Sequence, residues 1–240
     1  FSVYTITINP GIEFQPHPAF ARDEKGSLLY HALTDAALAD IQTLSDFEHT
    51  ATRELVAEDY VYQIKRLASP KIHSPILGLM SEYIVGLSDY AAQLSEMSKQ
   101  GQDIDLRAGN LSGVRVIDKY RYEIKVFGRY PQLRYWLAMP FFAAVPWEAD
   151  ALYKQAGLIK RNITMDWFPV GTGPYRLTEN NPNSRMVLEK NPHYRDDPYP
   201  SEGEPKDAGN GLLTDAGHLM PFVDKVLFLL EKEQTSYWNK

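Results

Sequence analysis

The spacing of apolar positions changes character along the 240 residues. Tyr4-Thr5-Ile6-Thr7-Ile8 alternates at once, which predicts a strand, and Asn9-Pro10-Gly11 is the turn that ends it. Ile12 and Phe14 continue the extended pattern. Residues 21–51 are mixed. Leu28, Leu29, Ala32 and Leu33, then Ala37, Leu38 and Ile41, have helical spacing and predict short helices. Tyr60, Val61, Ile64 and Leu67 share one face of an amphipathic helix that ends before Ser69-Pro70. Ser74-Pro75 places a proline at a first helical position. Ile76, Leu79, Met80, Tyr83, Ile84 and Leu87 then mark one apolar face, and Tyr90, Leu94 and Met97 predict a further helix up to Gly101.

Near Gly113 the period falls to two. Val114 and Val116, then Tyr120, Tyr122, Ile124 and Val126, predict a hairpin turning at Ile117-Asp118-Lys119. Leu133, Trp136 and Leu137 form a helical face ending at Pro140, and Glu148 to Gln155 reads as a helix stopped by Gly157. Tyr175 to Thr178 and Arg185 to Leu188 predict paired strands. Residues 195–221 read as a long surface loop, and Phe222 to Leu230 as a buried strand. The shift from helices to strands near residue 110 is the best border, separating a helical part with an entering strand (1–110) from a strand-rich part (111–240). The pattern predicts an α/β (α+β) fold.

Charge and composition exclude several functions. The net charge is −6, and an acidic chain argues against a nucleic-acid partner. The longest apolar runs, Val226 to Leu230 among them, span about five residues, far short of a bilayer. Cysteine is absent, so there is no disulfide framework, thiolate metal site or Cys nucleophile. None of the six histidines lies at metal-ligand spacing, so no metal and no cofactor is expected. Gly171-Thr172-Gly173 lacks the third glycine of a dinucleotide loop and the lysine of a P-loop, and Pro174 has no N–H for a phosphate. Glu58-Asp59 and Asp196-Asp197 are adjacent pairs, and adjacent carboxylates on a helix do not share a face. No constellation for an enzyme emerges. Aromatics make up 12%, and Tyr120, Tyr122, Tyr130, Tyr135 and Trp136 suit a core more than a ligand cleft. Phe1 is not an initiator Met, and Gln234 to Lys240 ends without a cap, so the chain reads as a piece of a longer protein.

The sharpest signal is Pro169-Val-Gly-Thr-Gly-Pro-Tyr-Arg-Leu177, a glycine turn feeding a strand, followed by Met186-Val-Leu-Glu-Lys-Asn-Pro-His-Tyr194. PVGTGPYRL followed by VLEKNPHY resembles the signature region of the family 5 extracellular solute-binding proteins, which serve dipeptide, oligopeptide and nickel ABC importers. YTITINPGIEF, RELVAEDYVYQIKRLASP, GVRVIDKYRYEIKV and MPFFAAVPWEA fall in the family's order. Residues 15–51 depart from it as an insertion, and Val56 stands where a capping Thr is usual.

The resemblance implies a periplasmic-binding-protein-like (type II) fragment. It would have a mixed sheet and a helical small subdomain (1–110), with 111–240 as the central part of the first lobe and the second lobe lacking. It implies binding of a solute, peptide by default, between two lobes, with delivery to an inner-membrane ABC permease. Ligand-sensing regulation and receptors for nickel chelates or sugars are the alternatives within the family. It implies a periplasmic or otherwise extracytoplasmic place, with or without a lipid anchor, and a monomer. Ile76 holds the position of a cleft-facing aromatic in some oligopeptide binders, and Trp167 precedes the glycine turn. Both are candidate ligand contacts. Gly171, Thr172, Gly173, Pro174 and Tyr175 are signature residues with an expected structural role.

Overall fold

The computed structural model describes residues 1–230, and the expectation for Gln234 to Lys240 lies outside them. Contacts divide the chain into two compact units: Phe1–Gly11 with Glu54–Ala151, and Ile12–Arg53 with the chain from Leu152 onward. These borders differ from the one expected near residue 110, because the hairpin beyond it pairs back onto the first strand.

In the first unit, β1 (Ser2–Thr7), β2 (Val114–Asp118) and β3 (Arg121–Val126) form an antiparallel sheet in the order β1-β3-β2. Ile6 faces Tyr122, and Tyr4 faces Ile124. Tyr122, Ile124 and Val126 are buried, as the period-two pattern requires. The hairpin turns at Lys119-Tyr120, later than expected, because the register shifts between Val116 and Asp118 and absorbs Ile117 as a bulge. Glu54 braces this end. Its carboxylate accepts from Lys119 Nζ at 2.6 Å, the Gly11 N–H at 2.7 Å and the Tyr120 hydroxyl at 2.8 Å.

Helix α1 (Ala57–Leu67) packs on β2 and β3 through Val61, Ile64 and Leu67. Val56 offers no capping oxygen. Asp59 supplies half a capping box instead, accepting from the Val56 N–H at 2.9 Å. The apolar face expected from Ile76 to Leu87 is split between α2 (Leu77–Tyr83) and α3 (Leu87–Lys99). Ile84 is extended and Gly86 adopts φ +76°, a left-handed turn that a side chain would strain. Pro75 therefore lies before α2, not at its first position. Met80, Ile84, Leu87, Tyr90 and Leu94 are buried, while Leu79 is exposed. Tyr60 stacks on the buried Tyr122, and Tyr83 on Tyr130, both half-buried, while Tyr135 is 62% exposed, so only part of the expected aromatic core is core. After α4 (Leu133–Leu137), helix α5 (Trp147–Tyr153) carries the chain across the border between the units.

In the second unit, α6 (Ala156–Ile159) precedes the antiparallel sheet β4 (Tyr175–Asn181), β5 (Arg185–Lys190) and β6 (Lys225–Leu229), in that order. Gly157 is inside α6 and does not stop α5. A Cβ there would collide with the buried Leu38 side chain. Residues 21–51 form turns and one 3-10 turn (Leu44–Asp46), not the expected short helices. Side chains take the donors that a helix would use. Asp23 accepts from the Lys25 and Ser27 N–H groups, Asp46 from those of Gln42 and Thr43, and Gln155 from that of Leu33. Residues 195–221 form turns, with a bridge between Pro198 and Leu219.

The expectation of a buried strand at Phe222 to Leu230 is corrected. β6 is an edge strand, and Phe228 is 52% exposed. Hydrophobicity alone predicted burial, but Leu227, Phe228 and Leu229 are each more than half exposed.

Candidate functional site

The glycine turn lies between α6 and β4 in the second unit, and most of its polar groups bond to the protein's own chain. The Gln15 N–H donates to the Gly171 carbonyl at 2.9 Å. The Gln15 side chain donates to the Pro169 carbonyl at 3.2 Å and accepts from the Gly171 N–H at 3.3 Å. Asn191 donates from its backbone to the Pro174 carbonyl at 2.8 Å and from its amide to the Gly173 carbonyl at 3.0 Å. The Tyr175 hydroxyl donates to the Val223 carbonyl at 2.8 Å. Gly171 to Tyr175 thus form a clamped bend that aims the preceding residues. Gln15→Ala leaves one N–H and one carbonyl without these partners. It is expected to cost about 1–3 kcal/mol and to speed hydrogen exchange at Gly171 several-fold, as NMR would show.

A buried relay fixes Phe168. His17 Nδ1 accepts from the Ala19 N–H at 3.1 Å, so its proton is on Nε2, which donates to the Tyr153 hydroxyl at 2.8 Å. Tyr153 in turn donates to the Phe168 carbonyl at 2.6 Å. Burial pushes the His17 imidazole down to about 3 and the Tyr153 phenol up, so both are neutral at pH 7.

Two adjoining clefts open on this wall, sharing Ser45, Phe168 and Thr178. One, of about 490 Å³, is lined by Trp167, Gln42, Arg161, Asn162, Asn180 and Asn181 among others. The Asn180 amide donates to the Trp167 carbonyl at 2.8 Å, which holds the tryptophan backbone at the rim. An indole beside several amides suits solutes with alternating apolar and hydrogen-bonding parts. The other, of about 280 Å³, is flanked by Pro16, Leu44, Thr50, Arg176 and Glu189. Among the described residues, Arg176 Nε and Asn180 Oδ1 are shielded from solvent without a hydrogen-bond partner.

Of the two candidate contacts, Trp167 lines a cleft. Ile76 belongs to the first unit and is 6% exposed, so it packs there as a core side chain with little surface for a solute. Sequence reasoning missed Gln15, His17, Arg176 and Asn191. The first two lie in the stretch read as an insertion, and only the Arg-Leu and Lys-Asn-Pro-His strings pointed to the others. Among the described residues no group of three or more His, Cys, Asp or Glu could hold a metal, and no helix is long and apolar enough to cross a membrane.

The profile of the bacterial extracellular solute-binding proteins, family 5 Middle, matches residues 47–206. The periplasmic oligopeptide-binding protein OppA of Salmonella typhimurium is 29% identical over 143 residues, which cover 59% of this chain and 23% of that protein. The structure of Burkholderia pseudomallei OppA superposes with a TM-score of 0.50 at 24% identity, covering 78% of this chain and 29% of that one. Peptide-bound OppA from Listeria monocytogenes gives 0.54 at 14% identity, covering 99% and 32%. At such identities the superpositions show the shared mixed α/β fold. The chain spans about a quarter to a third of the length of these relatives.

Proposed function

We propose, from the premise that this chain belongs to the family 5 bacterial extracellular solute-binding proteins, that it forms one wall of an oligopeptide-binding cleft in an ABC importer's receptor. The observation that carries this is the family match across residues 47–206. The relatives' peptide-binding names and the Trp167–Phe168 clefts support it. The receptor works outside the cytoplasm, in the periplasm of a two-membrane cell, as a monomer that hands its solute to a membrane permease. The activity is binding, with no bond made or broken, so no catalytic residue is assigned. Trp167 is the proposed contact, its ring set against an apolar side chain of the solute. Gly171 to Tyr175 hold the wall in shape.

Solute held between two lobes draws them together only as far as its contacts favour the closed arrangement. One wall supplies part of those contacts. Calorimetric titration of the isolated chain with tripeptides is therefore expected to give affinity weaker than micromolar, and micromolar binding would contradict the one-wall reading. The receptor reading itself predicts that the whole protein leaves its source compartment carrying a peptide.

A further inference from the structure

Arg176 projects from β4 into the smaller cleft, and its charge is poorly matched there. Its cross-strand neighbour is Glu189, but the nearest approach is 4.0 Å, too long for a hydrogen bond. Glu189 instead accepts Lys225 Nζ at 2.7 Å. Two cations thus face one carboxylate, and one positive charge is left over. Arg176 Nε is shielded and, among the described residues, has no partner, although the side chain as a whole is 34% exposed. A guanidinium presents a planar fork of donors that a carboxylate fits with two parallel bonds. The cavity of about 280 Å³ corresponds to about nine water volumes, enough for one terminal residue. Leu44 and Phe168 line it with apolar surface, and Ser45, Thr50 and Thr178 with hydroxyls.

We propose that this cavity is a carboxylate pocket in which Arg176 receives the carboxylate of the solute, either a peptide's C-terminus or a free amino acid. The proposal rests on the receptor reading and adds a chemical preference to it: the solute's carboxylate end lies toward β4 and β5. Glu189 is held by Lys225 and therefore leaves the incoming anion a cationic partner.

The test is an NMR titration of the chain at millimolar ligand, observing the Arg176 Nε–H and the Trp167 indole N–H. The probes are N-acetyl-trialanine, its C-terminal amide and free alanine. The acid is expected to shift the Arg176 resonance saturably, at least tenfold tighter than the amide. Arg176→Gln should remove that preference, with amide resonances away from the cavity unmoved as the check on folding. Arg176→Lys should restore only part of it, because an ammonium lacks the fork. Tighter binding of the trialanine acid than of alanine assigns the pocket to a peptide end, and alanine binding equally or more tightly assigns it to a free amino acid. Acid and amide shifting the Trp167 signal alike would overturn the pocket while leaving the receptor reading intact. So would a preference for acid that survives in Arg176→Gln. A titration in which no probe shifts either signal would overturn the pocket too, and the ligand carried by the whole protein would then decide the receptor reading separately.

Discussion

Replacing Asp150 with Ala is expected to destabilise the first unit by about 3–5 kcal/mol, the cost of stranding a buried charge. Asp150 lies in the first turn of α5 with its side chain 5% exposed. Its Oδ1 accepts from Arg66 Nε at 2.9 Å and its Oδ2 from the Tyr62 hydroxyl at 2.6 Å, so one carboxylate ties α5 to two turns of α1. Burial first, and then the Asp150 charge, push the Tyr62 phenol far above its usual range, so it stays a donor. Without Asp150, the Arg66 guanidinium is 16% exposed and too shielded for water to replace the lost partner fully. Asp150→Asn keeps the shape and one acceptor but loses the charge, so it should cost less than Ala. Urea denaturation gives the difference, with an unchanged m-value as the control. A loss under about 1 kcal/mol for Asp150→Ala would mean the network contributes no more than a surface ion pair.

Lowering the pH from 7 to 5 is expected to cost the second unit about 2 kcal/mol through His17. The folded imidazole titrates at about 3, depressed by burial from its ordinary 6.5. The unfolded chain therefore binds one more proton below pH 6.5, and stability falls steadily with pH from there to about 3. Geometry gives the same sign. Nδ1 accepts from the Ala19 N–H, and a protonated ring would present N–H against N–H there. Carboxylates act lower. Lys119, Gly11 and Tyr120 hold Glu54 down at about 2, from 4.5. Its contribution is complete above its unfolded value and is lost only as pH falls through that lower range. Asp118 and Glu179 are likewise lowered, each chiefly by an arginine, and belong to the same acidic window. The interval from pH 7 to 5 thus lies above these carboxylates, and substitution at His17 separates its share from that of the other five histidines. Across that interval the stability of His17→Gln, whose amide keeps a donor toward Tyr153, should fall about 2 kcal/mol less than that of the wild type. Equal slopes would show that His17 is protonated without cost in the folded state.

The elements legible in the sequence are those that bury a face of their own. β1, α1, α3 and β3 follow from period, because each turns one more sheltered face inward, whereas β2 and the β4–β5 pair are marked chiefly by the turn residues between strands. What was not legible depends on partners far along the chain. Leu28 to Ile41 have helical spacing, yet Gln155, more than a hundred residues on, takes the Leu33 N–H. Gly157 looks like a stop and is a contact surface for Leu38. Phe222 to Leu230 is apolar enough to be core, but burial depends on what lies over a strand, which the strand's composition does not encode. The border near residue 110 reflects a change of local period. The compact units are instead set by β1 pairing with β3, a contact across more than a hundred residues. The site followed the same rule. The glycine turn announced itself, whereas its clamp, Gln15, bonds to it from about 155 positions away.

The reading of this chain as one wall of a peptide-holding cleft is open to a single decisive experiment. Native mass spectrometry of the whole protein, purified from its source compartment without added ligand, tests it most directly. The expected result is a bound mass that resolves, after release and fragmentation, into a ladder of short peptides. A single non-peptide mass, or a protein that emerges empty and stays empty when offered peptides, would contradict it.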